Sequence, residues 1–250
     1  VIEDYMKILE SQNPLSDPKM AVYWVDIIRN RRDDFRTYVS DPAIFKRLDT
    51  FTSSSRVLDC GCGEGYLSRY LAERGHSVTG IDLSEPLINA ARKLGPESVQ
   101  FDIGSLASLP YAAETFDYVV SNLVLMELGE LTLPISEISR ILRPGGIFVF
   151  QILHPFCFAS NSGSTGGQKV SEYFKVQRFE EIFDVGGTCS PFPGVRYHRP
   201  LSSYTKTLRA NNFHIVEIFE PVPVDELKKD HPLWLTFKDP WFLLIEAQKV

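Results

Sequence analysis

Residues Arg56–Ser84 read RVLDCGCGEGYLSRYLAERGHSVTGIDLS, and the order of residue types in this stretch decides the fold. Val57 and Leu58 open an apolar run that ends in Asp59. Gly61, Gly63 and Gly65 follow at alternate positions, a density that suits a tight turn and close backbone approach. Tyr66–Arg74 is amphipathic and predicts a helix stopped by Gly75; Ser77–Ile81 predicts a second strand closed by Asp82. Strand, glycine turn, helix, strand and acid together suit a small ligand with an anionic group at one end and a ribose at the other.

Outward from this unit the chain keeps alternating. Glu85–Leu94 predicts a helix with Pro86 at its start and Gly95-Pro96 as its stop, and Val99–Ile103 a third strand. Thr115–Ser121 predicts strand four and Leu133–Leu142 a helix; Arg143-Pro144-Gly145-Gly146 then turns into strand five, Ile147–Leu153. Such alternation is the mark of an α/β fold whose mostly parallel sheet is covered on both faces. A helix at Ser202–Ala210 and strands at Phe213–Glu220 and Trp241–Gln248 bring the sheet to seven strands.

The rhythm breaks at His154, and residues 154–200 form an insertion. A loop this long in a compact domain is functional or disordered. Its Gly/Ser stretch Asn161–Gly167 is expected to be mobile, and Tyr173–Phe183 to pair as a hairpin. Before the first strand, helices are expected at Ile2–Glu10, Met20–Ser40 and from Asp41-Pro42 through Leu48. They serve either as a lid or as packing. The expected division is an amino-terminal helical extension, residues 1–50, followed by one domain, residues 51–250.

The 250 residues carry a net charge of −6, which argues against nucleic acid as a main partner. The longest apolar run, Ile147–Phe158, is interrupted by Gln151, His154 and Pro155, so no membrane span is expected. Cys60, Cys62, Cys157 and Cys189 form no C-x-x-C pair, so neither a metal site nor a disulfide framework is expected. With no leader pattern visible at Val1, a cytoplasmic location is the expectation.

The glycine spacing departs from the G-x-G-x-x-G dinucleotide fingerprint, and no phosphate-binding G-x-x-x-x-G-K-[ST] loop exists. Asp59 lies just upstream. An acid beside a pyrophosphate is electrostatically unfavourable, whereas beside an ammonium group it is favourable. The ligand therefore fits an amino-acid moiety better, and a nicotinamide-dependent oxidoreductase is the weaker reading.

VLDCGCGEG, GIDLS and LRPGGIFVF resemble the class I S-adenosylmethionine-dependent methyltransferases, from about Arg56 to Phe150. The resemblance implies a Rossmann-like, doubly wound sheet and S-adenosylmethionine as cofactor, with S-adenosylhomocysteine as product. It assigns the methionine end of the cofactor to Asp59, Gly61, Gly63 and Gly65, and the ribose hydroxyls to Asp82. A carboxylate can accept from two vicinal hydroxyls at once; the alternative for Asp82 is a helix cap. At the adenine end, alignment on Leu109-Pro110 puts Ser105 at the family's acid position, while alignment on the strand end puts Asp102 there. Asp102 is preferred. Leu83, Ile103 and Asn122 are expected beside the cofactor.

After strand four the chain reads Ser121-Asn122-Leu123-Val124, without the N/D-P-P-Y/F/W turn common in methyltransferases of base or glutamine amines. With the acidic balance, this points to a small-molecule acceptor methylated on oxygen or nitrogen. A carbon acceptor of quinone or sterol type is the alternative. His154, ending strand five, is the candidate catalytic base; otherwise it is a turn histidine. Tyr23, Trp24, Phe156, Tyr197, His198 and Arg199 are the candidate substrate-pocket residues. Insertion aromatics such as Phe158, Tyr173 and Phe183 either wall the pocket or simply pack the insertion.

Overall fold

The computed structural model describes residues 14–156, 170, 172–225, 227 and 232–250. The expected helix Ile2–Glu10 and the stretch Asn161–Gly167 lie outside these residues, as does Phe158. The strands are β1 (Arg56–Cys60), β2 (Ser77–Asp82), β3 (Gln100–Ile103), β4 (Phe116–Asn122) and β5 (Leu142–Leu153). Four short strands follow: β6 (Gln177–Glu181), β7 (Asp184–Val185), β8 (Thr188–Cys189) and β9 (Gly194–His198). The last two are β10 (Phe213–Phe219) and β11 (Phe242–Lys249). The helices are α1 (Pro18–Arg29), α2 (Asp41–Leu48), α3 (Tyr66–Glu73), α4 (Glu85–Leu94), α5 (Thr132–Ile141), α6 (Leu201–Ala210) and α7 (Pro232–Thr236).

Seven strands form one mixed, mostly parallel sheet in the order β10-β11-β5-β4-β1-β2-β3. β1 pairs parallel with β2 and β4, and β11 is antiparallel to both of its neighbours. The strand order reverses between β1 and β4, the place where open α/β sheets bind ligands beyond the carboxyl ends of their strands. The sheet has a buried apolar cluster on each face. Leu58, Ile81, Val119, Phe148 and Phe150 belong to one, and Val57, Leu67, Ile88, Val120 and Val149 to the other. Neighbours in one strand point to opposite faces, so the near-continuous apolar runs of β1, β4 and β5 are what a doubly covered sheet requires.

Three sequence expectations change. Met20–Ser40 is not one helix: α1 stops at Arg29, Arg31 takes a left-handed φ of 49°, and the Asp33 carboxylate caps the Arg36 amide at 3.0 Å. A short wide turn, Arg36–Ser40, then leads into α2. Tyr173–Phe183 does not pair with itself; β6 pairs antiparallel with β9, so the ribbon closes between distant parts of the insertion. Arg143–Gly146 forms a bulge inside β5. The register runs from Phe116↔Leu142 directly to Tyr118↔Ile147, which leaves the intervening residues unpaired.

The amino-terminal elements join the core. Ile44 and Leu48 of α2 are fully buried in the cluster that holds Val57 and Leu67. Met20, Tyr23 and Ile27 of α1 pack with Phe183 from the insertion. At about 1.5–3 kcal/mol for each such buried side chain, both contacts hold these helices firmly to the domain.

Candidate cofactor and acceptor site

At the carboxyl ends of β1, β2 and β4 lies a cavity of about 560 Å³, within the usual range of roughly 300–1,000 Å³ for small-molecule sites. Its floor is the glycine turn. Gly61 and Gly63 have φ of +73° and +55°, and the Gly61 and Cys62 amides donate to the Ile81 carbonyl at 2.8 and 3.1 Å. The three glycines serve different ends. A Cβ on Gly61 would stand 2.4 Å from Val124 Cγ2, and one on Gly65 would stand 2.7 Å from Phe101 Cζ. A Cβ on Gly63 would meet nothing within 4 Å. Gly61 and Gly65 thus admit neighbouring side chains, while Gly63 leaves the cavity floor bare. Glu64 braces the turn: Arg69 donates to both of its carboxylate oxygens at 2.7 Å and to its carbonyl at 2.6 Å.

Two acids line the floor. Asp59, at the end of β1, is buried and accepts a 2.6 Å hydrogen bond from Ser68 Oγ. Burial pushes its pKa up to about 7, against the pull of that hydrogen bond, so its charged form awaits a cationic partner. Asp82, at the end of β2, accepts from the Gly63 amide at 2.9 Å through Oδ2 and from the Ser84 amide at 2.8 Å through Oδ1. Burial raises its pKa too, while those amides oppose the rise. Asp82 therefore organises a turn and also faces the cavity, with lone pairs to spare on both oxygens. Leu83 lines the wall beside it.

Asn122, at the end of β4, sits in a buried polar chain. Its Nδ2 donates to the Tyr66 hydroxyl, and its Oδ1 accepts from Gln151 Nε2 at 3.1 Å. Gln151 also donates to Ser40 Oγ at 2.5 Å, and the Tyr66 hydroxyl donates to Asp41 Oδ1 at 3.2 Å. Arg36 lies over the Tyr66 ring, 4.4 Å from its centroid, and donates to Asp41 at only 3.4 Å. The amino-terminal segment thereby reaches the cavity through Trp24, Arg32 and Arg36.

The other expected residues divide. Trp24 and Tyr197 line the cavity, as does Phe183 among the insertion aromatics. Gly65, Asp102, Ile103, Tyr23, Phe156, His198, Arg199 and His154 are not among the lining residues. Asp102 is held by Gln100 Nε2 and by the Tyr111 hydroxyl at 2.9 Å, and Ile103 is exposed. Ser105, Leu106 and Ala107 form that part of the wall instead. Tyr23 donates to the Phe183 and Thr188 carbonyls, which fastens α1 to the insertion. Phe156 is largely exposed, and His198 is fully buried with Nε2 2.8 Å from the Tyr173 carbonyl oxygen. Arg199 donates to the Leu125 and Leu128 carbonyls and so pins the loop after β4.

His154 shows the largest departure. Its Nδ1 accepts from the Phe156 amide at 3.0 Å, which leaves the Nε2 proton to face Glu220 Oε1 at 3.0 Å. Burial pulls its pKa down, while Glu220 pulls it the other way. Both ring nitrogens are thus engaged by groups outside the cavity lining, the arrangement expected of a turn histidine. Sequence reading missed Arg36, Tyr66, Glu127 and Arg196, all on the cavity wall. Tyr66 and Glu127 had a signal, their positions just past the glycine turn and just past β4. Arg36 and Arg196 had none.

The donor set suits the cofactor named by the sequence resemblance. A bare glycine floor, an acid for an ammonium group, a second acid for vicinal hydroxyls and a guanidinium for a carboxylate all face one space. Comparison with known proteins agrees. Residues 58–150 match the family described as "Methyltransferase domain". A malonyl-[acyl-carrier protein] O-methyltransferase of Salmonella typhimurium is 41% identical over 97 residues, 39% of this chain and 38% of that one. One from Pectobacterium atrosepticum is 31% identical over 146 residues, 58% of this chain and 55% of that one. The matched stretch thus spans less than two thirds of the length of these curated relatives. A solved structure from Listeria monocytogenes superposes with a TM-score of 0.69 at 28% identity, over 83% of this chain and 96% of the other. An S-adenosylmethionine-dependent methyltransferase from Mesorhizobium loti does so with 0.64 at 25% identity and the same coverage. By the glycine turn, the sheet order and these matches, residues 58–150 carry a methyltransferase domain like that of the class I S-adenosylmethionine-dependent methyltransferases.

Proposed function

We propose that the protein binds S-adenosylmethionine in this cavity and transfers its methyl group to oxygen or nitrogen of a small molecule. The observation that carries the reading is the convergence of Asp59, Gly63, Asp82 and Arg36 on one cavity. Asp59 would hold the cofactor's ammonium group, Arg36 its carboxylate and Asp82 its ribose hydroxyls; Leu83 and Asn122 would flank it. The cofactor supplies a methyl group on a positively charged sulfur. The chain's task is to orient the acceptor in line with that methyl and to exclude water, and held geometry of this kind can remove much of a barrier.

Trp24, Phe183 and Tyr197 would wall the acceptor. Trp24 and Ile28 of α1 and residues 33–36 after it line the cavity, which supports reading the amino-terminal extension as a lid on the domain of residues 51–250. A second reading comes from the curated relatives, whose names describe methylation of a malonyl group on an acyl carrier protein. Those matches cover less than half to just over half of each chain, so the acceptor does not transfer with them. A carbon acceptor and a nicotinamide-dependent oxidoreductase have no observation in their favour.

Titration calorimetry with S-adenosylhomocysteine tests the reading. Wild-type protein should bind it with one site per chain, and Asp82→Ala should weaken binding about tenfold to a hundredfold, the cost of losing hydrogen bonds to a charged group. No binding by the wild type would sink the proposal.

A further inference from the structure

The loop that leaves β4 carries Glu127, which lines the cavity and makes no hydrogen bond with its carboxylate among the described residues. It stands within electrostatic reach of Asp82 from β2 and of Arg196 from β9. Arg196 is already committed elsewhere. Its Nη1 donates to Glu181 Oε1 of β6 at 2.9 Å, and its guanidinium lies over the Phe183 ring at 4.1 Å. Glu127 is therefore an ionisable group on the cavity wall that neither the glycine turn nor the insertion uses.

We propose that Glu127 is the counter-charge of the transfer site: its carboxylate balances the positive sulfur before transfer and receives the acceptor's proton during it. The proposal rests on the cofactor reading above and deepens it. The acceptor's lone pair forms the new bond to the methyl carbon. The electron pair of the breaking carbon–sulfur bond stays on sulfur, and the proton leaving the acceptor passes to the Glu127 carboxylate. One buried positive and one buried negative charge are thereby replaced by two neutral groups. No uncompensated charge is left in a partly dry cavity, where it would cost several kcal/mol.

This charge balance selects the substrate class. A hydroxyl or N–H acceptor brings the proton that neutralises Glu127. An anionic carboxylate acceptor brings none, and it enters against the repulsion of Glu127 and Asp82. Burial raises the Glu127 pKa to about 7, with Arg196 pulling against the rise and Asp82 adding to it, so near neutrality the group can both give and take a proton.

The test needs no acceptor. S-adenosylmethionine and S-adenosylhomocysteine share their amino-acid, ribose and adenine groups and differ in the charge on sulfur. The ratio of their affinities therefore removes what the two ligands share, the contacts of Asp59 with the ammonium group and of Asp82 with the ribose, and the variant separates Glu127 from any effect of those acids on the sulfonium. Both are titrated calorimetrically against wild type and Glu127→Gln between pH 5.5 and 8.5. In the wild type the preference for the sulfonium should rise about tenfold as pH passes 7. In Glu127→Gln the ratio should stay flat, and at pH 5.5 its affinity for S-adenosylhomocysteine should match wild type, which also shows that the variant folds. A flat ratio in the wild type overturns the proposal whatever the variant does, as does an equal slope in the variant. Binding of neither ligand to the wild type overturns the cofactor reading and this proposal together.

Discussion

The Gly63 amide donates to Asp82 Oδ2 at 2.9 Å, and this bond ties the turn after β1 to the end of β2. Two motifs nineteen residues apart become one surface through it. The bond also orients the acid, since an oxygen that accepts from the turn amide is held at the cavity wall.

The glycines of the turn should differ sharply on substitution. Gly61→Ala adds a Cβ 2.4 Å from Val124 at a φ of +73°, and should cost about 2–4 kcal/mol in urea unfolding. Gly63→Ala meets open space at a φ of +55° and should cost about 1 kcal/mol, while S-adenosylhomocysteine binding falls much further. Equal stability losses in the two variants would contradict the assignment.

Arg36 should act on one end of the cofactor alone. Calorimetry on Arg36→Gln should show affinity for S-adenosylhomocysteine reduced about tenfold to a hundredfold, with affinity for adenosine unchanged. A parallel loss of both would mean that Arg36 supports the fold of the amino-terminal segment instead.

His154→Ala should weaken the protein without touching the cofactor. Losing the bonds to the Phe156 amide and Glu220 should cost about 1–2 kcal/mol, and the affinity for S-adenosylhomocysteine should stay as in wild type. Because the folded protein holds the ring neutral, this histidine's contribution is fully present above its unfolded pKa near 6.5 and is lost below it, as pH falls through the lower folded value. Thermal melts of the two proteins at pH 5.5 and 7.5 would reveal it.

Asp59 gives the opposite slope. Its folded pKa of about 7 lies above its ordinary 3.8, so the folded state binds this proton more tightly than the unfolded chain does. Stability from this group is complete below about pH 4 and is lost as pH rises towards 7. Ligand-free wild type should lose about 2–3 kcal/mol between pH 5 and pH 8 that Asp59→Asn does not lose. Denaturant titrations at the two pH values decide it, and S-adenosylhomocysteine, by bringing an ammonium group, should restore part of the loss.

The local sequence determined the sheet and the cofactor floor. Strand and helix periods from Arg56 to Leu153 are nearest-neighbour patterns. Asp59, the alternate glycines and Asp82 fall within one strand-turn-helix-strand unit whose geometry follows from its own residues. The remaining site is assembled from residues distant in the chain. Arg36 enters because Asp33 caps the turn that breaks the expected helix, and Arg196 and Tyr197 enter because β9 pairs with β6. Glu127 is placed where Arg199 pins the loop after β4. The sequence leaves His154 open between base and turn histidine for the same reason: its neighbours Phe156 and Glu220, which hold both ring nitrogens, meet only after the chain has closed. Hydrophobic period and turn chemistry act over a few residues and can be read in order. Which side chains share a cavity depends on pairings and packing across more than a hundred residues, and only the tertiary structure decided that.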